Sequence, residues 1–224
     1  MKEIIYHPEF NPSTLENDIT ILVLKRKVAL RRYPNIKPAC LPTLGSTHTG
    51  IGYISGWGTL HNNGPRTSWL HATDVNMYEK KDCGEVKEGM TYDQMCAGLH
   101  QGGIDACLGD TGGPLVTKDS YNNNWMTLVG VISGRRDVNG QSICAKPNLL
   151  GIYSKVSENI EWLYDEMKNF NTCPKHTDWN SADEGDQGTG TVCELQYDMD
   201  PNEWYPIIDC REFLNLAVEV NPGK

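Results

Sequence analysis

No stretch of the 224 residues stays apolar for the roughly 20 positions that a membrane-spanning helix needs, and Met1-Lys-Glu-Ile-Ile-Tyr-His-Pro8 holds no run long enough for a secretory signal. Positive charge is not in excess: 20 Lys and Arg stand against 29 Asp and Glu, a net of -9, which gives a nucleic-acid role no support. Paired Cys-x-x-Cys spacing is absent, which argues against a structural zinc site. The carboxylates Asp178, Asp183, Glu184 and Asp186 do not have the spacing of an EF-hand loop, so neither a metal nor any other cofactor is expected.

What is present is a hydrophobic content of 38% with mixed charge, enough for one or two folded domains with a real core. Eight cysteines, an even number, suit a disulfide framework in an oxidising compartment and hence a secreted protein whose natural start lies upstream of Met1. The charge is uneven. Eleven acidic and three basic residues lie from Asn171 onward, so the tail carries nearly all of the net negative charge.

Ile4 to Tyr6 and Ile19 to Leu24 read as short strands separated by a Pro- and Asn-bearing loop, with Asp18 at the mouth of the second. Taken alone, Asp18 reads as the end of a loop before a strand. Lys25-Arg26-Lys27 and Arg31-Arg32 have the composition of a polyanion site, though a solvated turn explains them as well. From Gly52 to Val129, short strands alternate with Gly, Asn and Pro, the pattern of an antiparallel barrel. Residues 157–170 predict a helix with Ser157 as N-cap and Ile160, Leu163, Tyr164 and Met167 on one face. Residues 175–191 read as a polar, acidic linker.

The richest stretch is Asp105-Ala-Cys-Leu-Gly-Asp-Thr-Gly-Gly-Pro-Leu-Val116. It places the hydroxyl of Thr111 in a glycine-rich bend before an apolar strand. A hydroxyl that is to attack a carbonyl must stand exposed on a tight turn, with backbone N–H groups aimed at the oxygen that becomes negative. Gly109, Gly112 and Gly113 permit that geometry.

This segment resembles the active-site loop of the chymotrypsin/trypsin family of serine proteases, with Thr111 where the family carries serine. The resemblance runs over about residues 3–170 and takes in Asn17-Asp18-Ile19-Thr20-Ile21-Leu22-Val23-Leu24 and Gly56-Trp57-Gly58. It implies an all-β, antiparallel two-barrel fold with the first barrel incomplete, a terminal helix, and a Cys-containing tail. The expected division is a protease domain over 1–172 and an acidic linker with a small extension over 173–224.

Roles follow from the resemblance residue by residue. Asp18 would orient a catalytic histidine, and the N–H groups of Gly109 and Thr111 would form the oxyanion hole. Asp105 would lie at the floor of a specificity pocket that Gly151 leaves open, suited to a lysine or arginine side chain. The alternative for Asp105 is an ordinary loop charge. Ser133 and Gly134 would pair with the substrate backbone, although Gly134 replaces the usual aromatic residue and the turn from Arg135 to Ile143 is longer than usual. Cys83 with Cys96 and Cys107 with Cys144 match family disulfides, while Trp69 and Thr117 stand where a third is usual. Cys40 matches a cysteine that often ties the protease domain to an N-terminal part. The pairing of Cys40, Cys173, Cys193 and Cys210 stays open.

The resemblance also implies a general base further upstream of the aspartate than the 17 residues that precede Asp18. None of His7, His48, His61, His71, His100 and His176 has the family's Ala-Ala-His-Cys setting. An Ile-Val-Gly-Gly-like start, whose amine would pair with Asp110, is not found either, which leaves that carboxylate without a counter-charge. The branched Cβ of Thr111 fixes its rotamer and crowds the attack. The chain as given is therefore expected to be an inactive or slow protease homologue that binds a polypeptide substrate or protein partner. The alternative is a fragment of an active secreted endopeptidase that cleaves after Lys or Arg with Thr111 as nucleophile.

Overall fold

A computed structural model describes residues 1–26, 28, 32–33, 35–118, 125–134, 143–169 and 216–219. β1 (Glu3–Tyr6) and β2 (Thr20–Val23) pair antiparallel with Glu3 opposite Val23 and Tyr6 opposite Thr20. β-branched residues make up half of β1 and most of β2, as an extended backbone favours. The sheet is completed by β9 (Leu216–Glu219) on the other side of β2, in the order β1-β2-β9.

The second unit is a closed six-strand barrel. Its strands are β3 (Gly50–Gly56), β4 (His71–Tyr78), β5 (Gln94–Gly98), β6 (Pro114–Lys118), β7 (Met126–Gly134) and β8 (Gly151–Lys155), joined in the order β3-β4-β5-β8-β7-β6. Alternation selects the side chains that fill it: Val75 and Met77 of β4 point in, while Asp74 and Asn76 face solvent. Leu115, Val129 and Tyr153 meet them in the interior. β6 and β7 shift register between Leu115 and Val116, and β7 and β8 between Ile132 and Gly134. Such irregularities bend strands at a barrel rim and re-aim side chains. The all-β antiparallel architecture is the one expected, with a three-stranded sheet beside the closed barrel.

The helix α1 (Ile160–Asn169) starts later than the sequence predicts. Val156–Glu158 forms a 3-10 turn instead, and the Ser157 hydroxyl donates to the Ser46 carbonyl at 2.8 Å rather than capping the helix. Asn159 opens α1, its carbonyl accepting from the Leu163 N–H at 3.0 Å. The expected face is the buried one: Ile160, Leu163 and Tyr164 pack with Ile19, Ile21 and Val23 of the first sheet and Val131 of β7, with Met167 alongside.

Cys83–Cys96 and Cys107–Cys144 are disulfides, with Cα–Cα distances of 5.8 and 5.4 Å. Cys40 is also disulfide-bonded, and its partner lies outside the described residues. So do Cys173, Cys193 and Cys210, the linker over 175–191 and most of the turn after Gly134. Trp69 is 80% exposed, and the Thr117 hydroxyl donates to the Ile51 carbonyl at 3.1 Å, so each has a surface setting in place of a bridge. Among the described residues, no helix is long and apolar enough to cross a membrane.

Candidate active site

Three glycines decide the shape of the bend that carries Thr111. Gly109 and Gly112 have φ of +94° and +86°, a region that a side chain strains. A Cβ on Gly113 would lie 2.7 Å from the Asp110 carbonyl oxygen, so that position has no room for one. The Asp110 N–H donates to the Cys107 carbonyl at 3.0 Å, and the Gly113 N–H to the Asp110 carbonyl at 2.8 Å. Two further bonds tie the bend to β7: Gly112 N–H to the Ile132 carbonyl at 2.8 Å, and Ile132 N–H to the Gly113 carbonyl at 2.9 Å. Thr111 stands exposed at the tip. Among the described residues, no backbone carbonyl accepts from the Gly109 or Thr111 N–H.

Beneath the bend, Asp110 turns inward. Its carboxylate accepts from the Gly58 N–H at 2.8 Å and from the Cys107 N–H at 2.9 Å. This accounts for Gly56-Trp57-Gly58: a Cβ would lie 2.0 Å from Asp110 Oδ1 at Gly56 and 2.6 Å from its carboxylate at Gly58. The sequence leaves Asp110 without a counter-charge, whereas two backbone dipoles meet it in the fold. Asp110 and Asp105 both line a cavity of about 350 Å³ under the Gly56–Thr59 segment.

Asp18 is 3% exposed. Its carboxylate accepts from the Ser133 hydroxyl at 2.7 Å, and its backbone carbonyl accepts from the Ser154 hydroxyl at 2.7 Å. The loop before it is held in an unusual path, with positive φ at Leu15 (58°) and Asn17 (55°). Asp93 and Gln94 keep it there. Asp93 accepts from the Asn17 N–H at 2.7 Å, and the Gln94 amide donates to the Thr14 and Leu15 carbonyls at 3.1 and 2.9 Å. Sequence reasoning misses both residues, because their partners lie about 80 positions away. Two polar residues opening a strand that is otherwise buried were the available signal.

Thr111, Gly134 and Gly151 line one pocket of about 80 Å³ with Cys107 and Cys144. Asp105 is not among its lining residues but stands directly behind it: a Cβ on Gly151 would come within 2.9 Å of Asp105 Oδ1. Asp105 also accepts from the Ala145 N–H at 3.3 Å. At Gly134, where an aromatic side chain would be usual, the added Cβ would lie 3.2 Å from Leu15 Cδ1, so the Asp18 loop reaches the same pocket wall. Arg66, another residue the sequence does not single out, sets its guanidinium against Gly109, 2.9 Å from where a Cβ would be.

The described histidines make contacts of their own, and His61 and His71 line the larger cavity together with Asp105 and Asp110. His7 accepts from the Glu9 N–H at 3.2 Å and lies against Trp162 with ring centroids 4.6 Å apart. Burial lowers its pKa below 6.5, with Glu9 and then Asp93 opposing. Burial also lowers the pKa of His48, and the Lys155 charge adds to the effect. His61 contacts the Asn62 carbonyl at 3.1 Å, His71 sits opposite Gly56 in β4, and His100 lies 4.8 Å from the Tyr78 ring. His176 is outside the described residues. Among the described residues, Thr111 has no histidine partner.

Comparison with known proteins extends the picture from the site to the chain. The family model described as Trypsin matches residues 1–163. The chain is 36% identical over 168 residues to mannan-binding lectin serine protease 1 of Mus musculus, a match covering 73% of this chain and 22% of that protein. It is 32% identical to trypsin-1 of Astacus astacus, covering 73% of this chain and 65% of the relative. Proclotting enzyme of Tachypleus tridentatus is 33% identical, with 72% and 42% covered. The chain thus spans from about a fifth to under two thirds of the length of these relatives.

Proposed function

The chain belongs to the trypsin family of serine proteases, and from that premise we propose that it is a homologue impaired in catalysis that serves as a binding or regulatory module for a polypeptide partner. The observation that carries this reading is Thr111, an exposed hydroxyl with no imidazole beside it among the described residues. In a serine-type mechanism the base takes the proton as the oxygen attacks, and loss of one member of such a triad has cost on the order of 10⁶ in turnover. The Thr111 methyl adds to the loss, since displacement of an attacking atom by about 1 Å costs around a hundredfold.

The rest of the site is that of a protease. The N–H groups of Gly109 and Thr111, which meet no backbone acceptor among the described residues, suit an oxyanion hole. Asp105 behind Gly151 suits the ammonium or guanidinium of a lysine or arginine, and Ser133 and Gly134 suit a strand-like substrate backbone. These features support a retained ability to bind. They equally support a second reading, in which a longer polypeptide supplies the histidine and Thr111 cleaves after Lys or Arg. Asp18 favours it, since a buried carboxylate held by Ser133 is ready to orient an imidazole.

In both readings residues 1–172 are the protease domain and 173–224 its extension, and the disulfides suit an extracellular setting. Covalent attachment of an N-terminal part through Cys40 would require exchange of the bond that Cys40 makes in this chain. The deciding experiment gives the full-length, activated protein an arginine ester and a fluorophosphonate probe. Silence from both, with turnover restored by Thr111→Ser, supports the impaired homologue. Labelling of Thr111 together with ester turnover rejects it in favour of the enzyme.

A further inference from the structure

Arg66 reaches the bend that carries Thr111 from a neighbouring segment, and backbone bonds fix where it stands. Thr59 and Arg66 form an antiparallel bridge, and the Thr67 N–H donates to the Gly58 carbonyl at 3.3 Å. Toward the bend, the Thr59 N–H donates to the Leu108 carbonyl at 2.9 Å, and its hydroxyl donates to Cys107 Sγ at 3.1 Å. Thr59 thus joins the residue opposite it, Arg66, to the residue before Gly109. Close contact results: Nε, Cζ and Nη2 of Arg66 would lie 2.9, 3.1 and 3.3 Å from a Cβ on Gly109.

Nothing nearby cancels the charge. Among the described residues no Asp or Glu pairs with Arg66, and the side chain is exposed. The Gly109 and Thr111 N–H groups meet no backbone acceptor among those residues either. A planar guanidinium matches the two oxygens of a carboxylate, and backbone N–H groups converging on one bend form a nest for an anion. A neutral peptide carbonyl gains little from that cation, whereas a carboxylate gains a charge-assisted bond. An internal residue of a polypeptide offers the carbonyl; a chain end offers the carboxylate.

We propose that Arg66 makes this site a receptor for a free C-terminal carboxylate, so that the polypeptide partner is one that ends in lysine or arginine. This rests on the retained binding of a basic side chain at Asp105. The terminal carboxylate lies over the bend, between the Arg66 guanidinium and the N–H groups of Gly109 and Thr111. A side chain at Gly109 would collide with the guanidinium, so glycine there serves Arg66 as well as the turn. No bond is made or broken. A chain impaired in catalysis can therefore hold the new end of a polypeptide that another protease has cut after Lys or Arg.

Calorimetric titration of the full chain with two peptides tests this, one ending in arginine with a free carboxylate and the other its C-terminal amide. The acid is expected to bind about tenfold or more tightly than the amide at low salt. That ratio should narrow as salt rises, because Arg66 is exposed. Arg66→Gln should lower the ratio several-fold, and Arg66→Lys should keep part of it. Taking the ratio within each protein removes any loss through altered folding. A peptide acid ending in citrulline, the uncharged counterpart of arginine, should bind more weakly than the arginine acid to parent and Arg66→Gln alike, which reads the Asp105 pocket separately. Equal binding of acid and amide by the parent would overturn the carboxylate site and leave the polypeptide-binding reading standing. An acid preference unchanged in Arg66→Gln would overturn the role of Arg66. Binding of neither peptide would overturn both the carboxylate site and the retained pocket.

Discussion

The Ser133 hydroxyl donates to the Asp18 carboxylate across 2.7 Å, joining the end of β7 in the barrel wall to the loop before β2 over 115 positions of sequence. A carboxylate at 3% exposure depends on such donors, because burial removes the water that would otherwise solvate it. Ser133→Ala is expected to destabilise the fold by about 1–3 kcal/mol, the cost of a buried acceptor losing its donor. Urea unfolding of the two proteins measures it, and an unchanged midpoint would contradict the assignment.

Gly56 and Gly58 leave the space that the Asp110 side chain fills. Gly56→Ala should displace the carboxylate and strip the Gly58 and Cys107 N–H groups of their acceptor, at a cost of about 1–3 kcal/mol or more. The same mutation in an Asp110→Ala background should cost much less, because the clash is then gone. A double-mutant cycle reads the difference directly.

The two described disulfides close loops of unequal length, with sequence separations of 37 and 13. Loop-closure entropy assigns roughly 4 kcal/mol to Cys107–Cys144 and roughly 3 kcal/mol to Cys83–Cys96. Paired Cys→Ala replacement should therefore lower the melting temperature more for the first than for the second. Opening Cys107–Cys144 should also loosen the pocket at Thr111, whose wall both cysteines form.

His7 and His48 give the fold a dependence on mild acid. Burial lowers both below 6.5, so the folded state binds fewer protons than the unfolded one in this range. Stability from these groups is present above pH 6.5 and is lost as pH falls through 6.5 toward the lowered folded values. Replacing both with glutamine should flatten the fall in melting temperature between about pH 7.5 and 5.5. A steeper fall would reverse the sign.

Local pattern made much of this legible. β-branched runs located β1 and β2, the apolar face of α1 was readable to the residue, and glycine spacing around Thr111 announced the bend. Other parts depend on partners far away in sequence. Ser157 has the chemistry of an N-cap, but the Ser46 carbonyl takes its hydroxyl, and a tertiary bond of that kind leaves no trace in a window of neighbours. Asp93 and Gln94 fix the Asp18 loop from another strand. Leu216-Ala-Val-Glu219 is too short for its period to distinguish strand from helix, and its pairing with β2 lies nearly 200 positions away in sequence.

A ring of six strands has no loose end from which to unravel, so its seams must part together. The three strands beneath Asp18 can unzip one at a time from either flank. Warming or brief protease treatment should therefore reach the acid's platform while the hydroxyl's bend still keeps its shape. The two halves of the site would fail, and recover, at different moments.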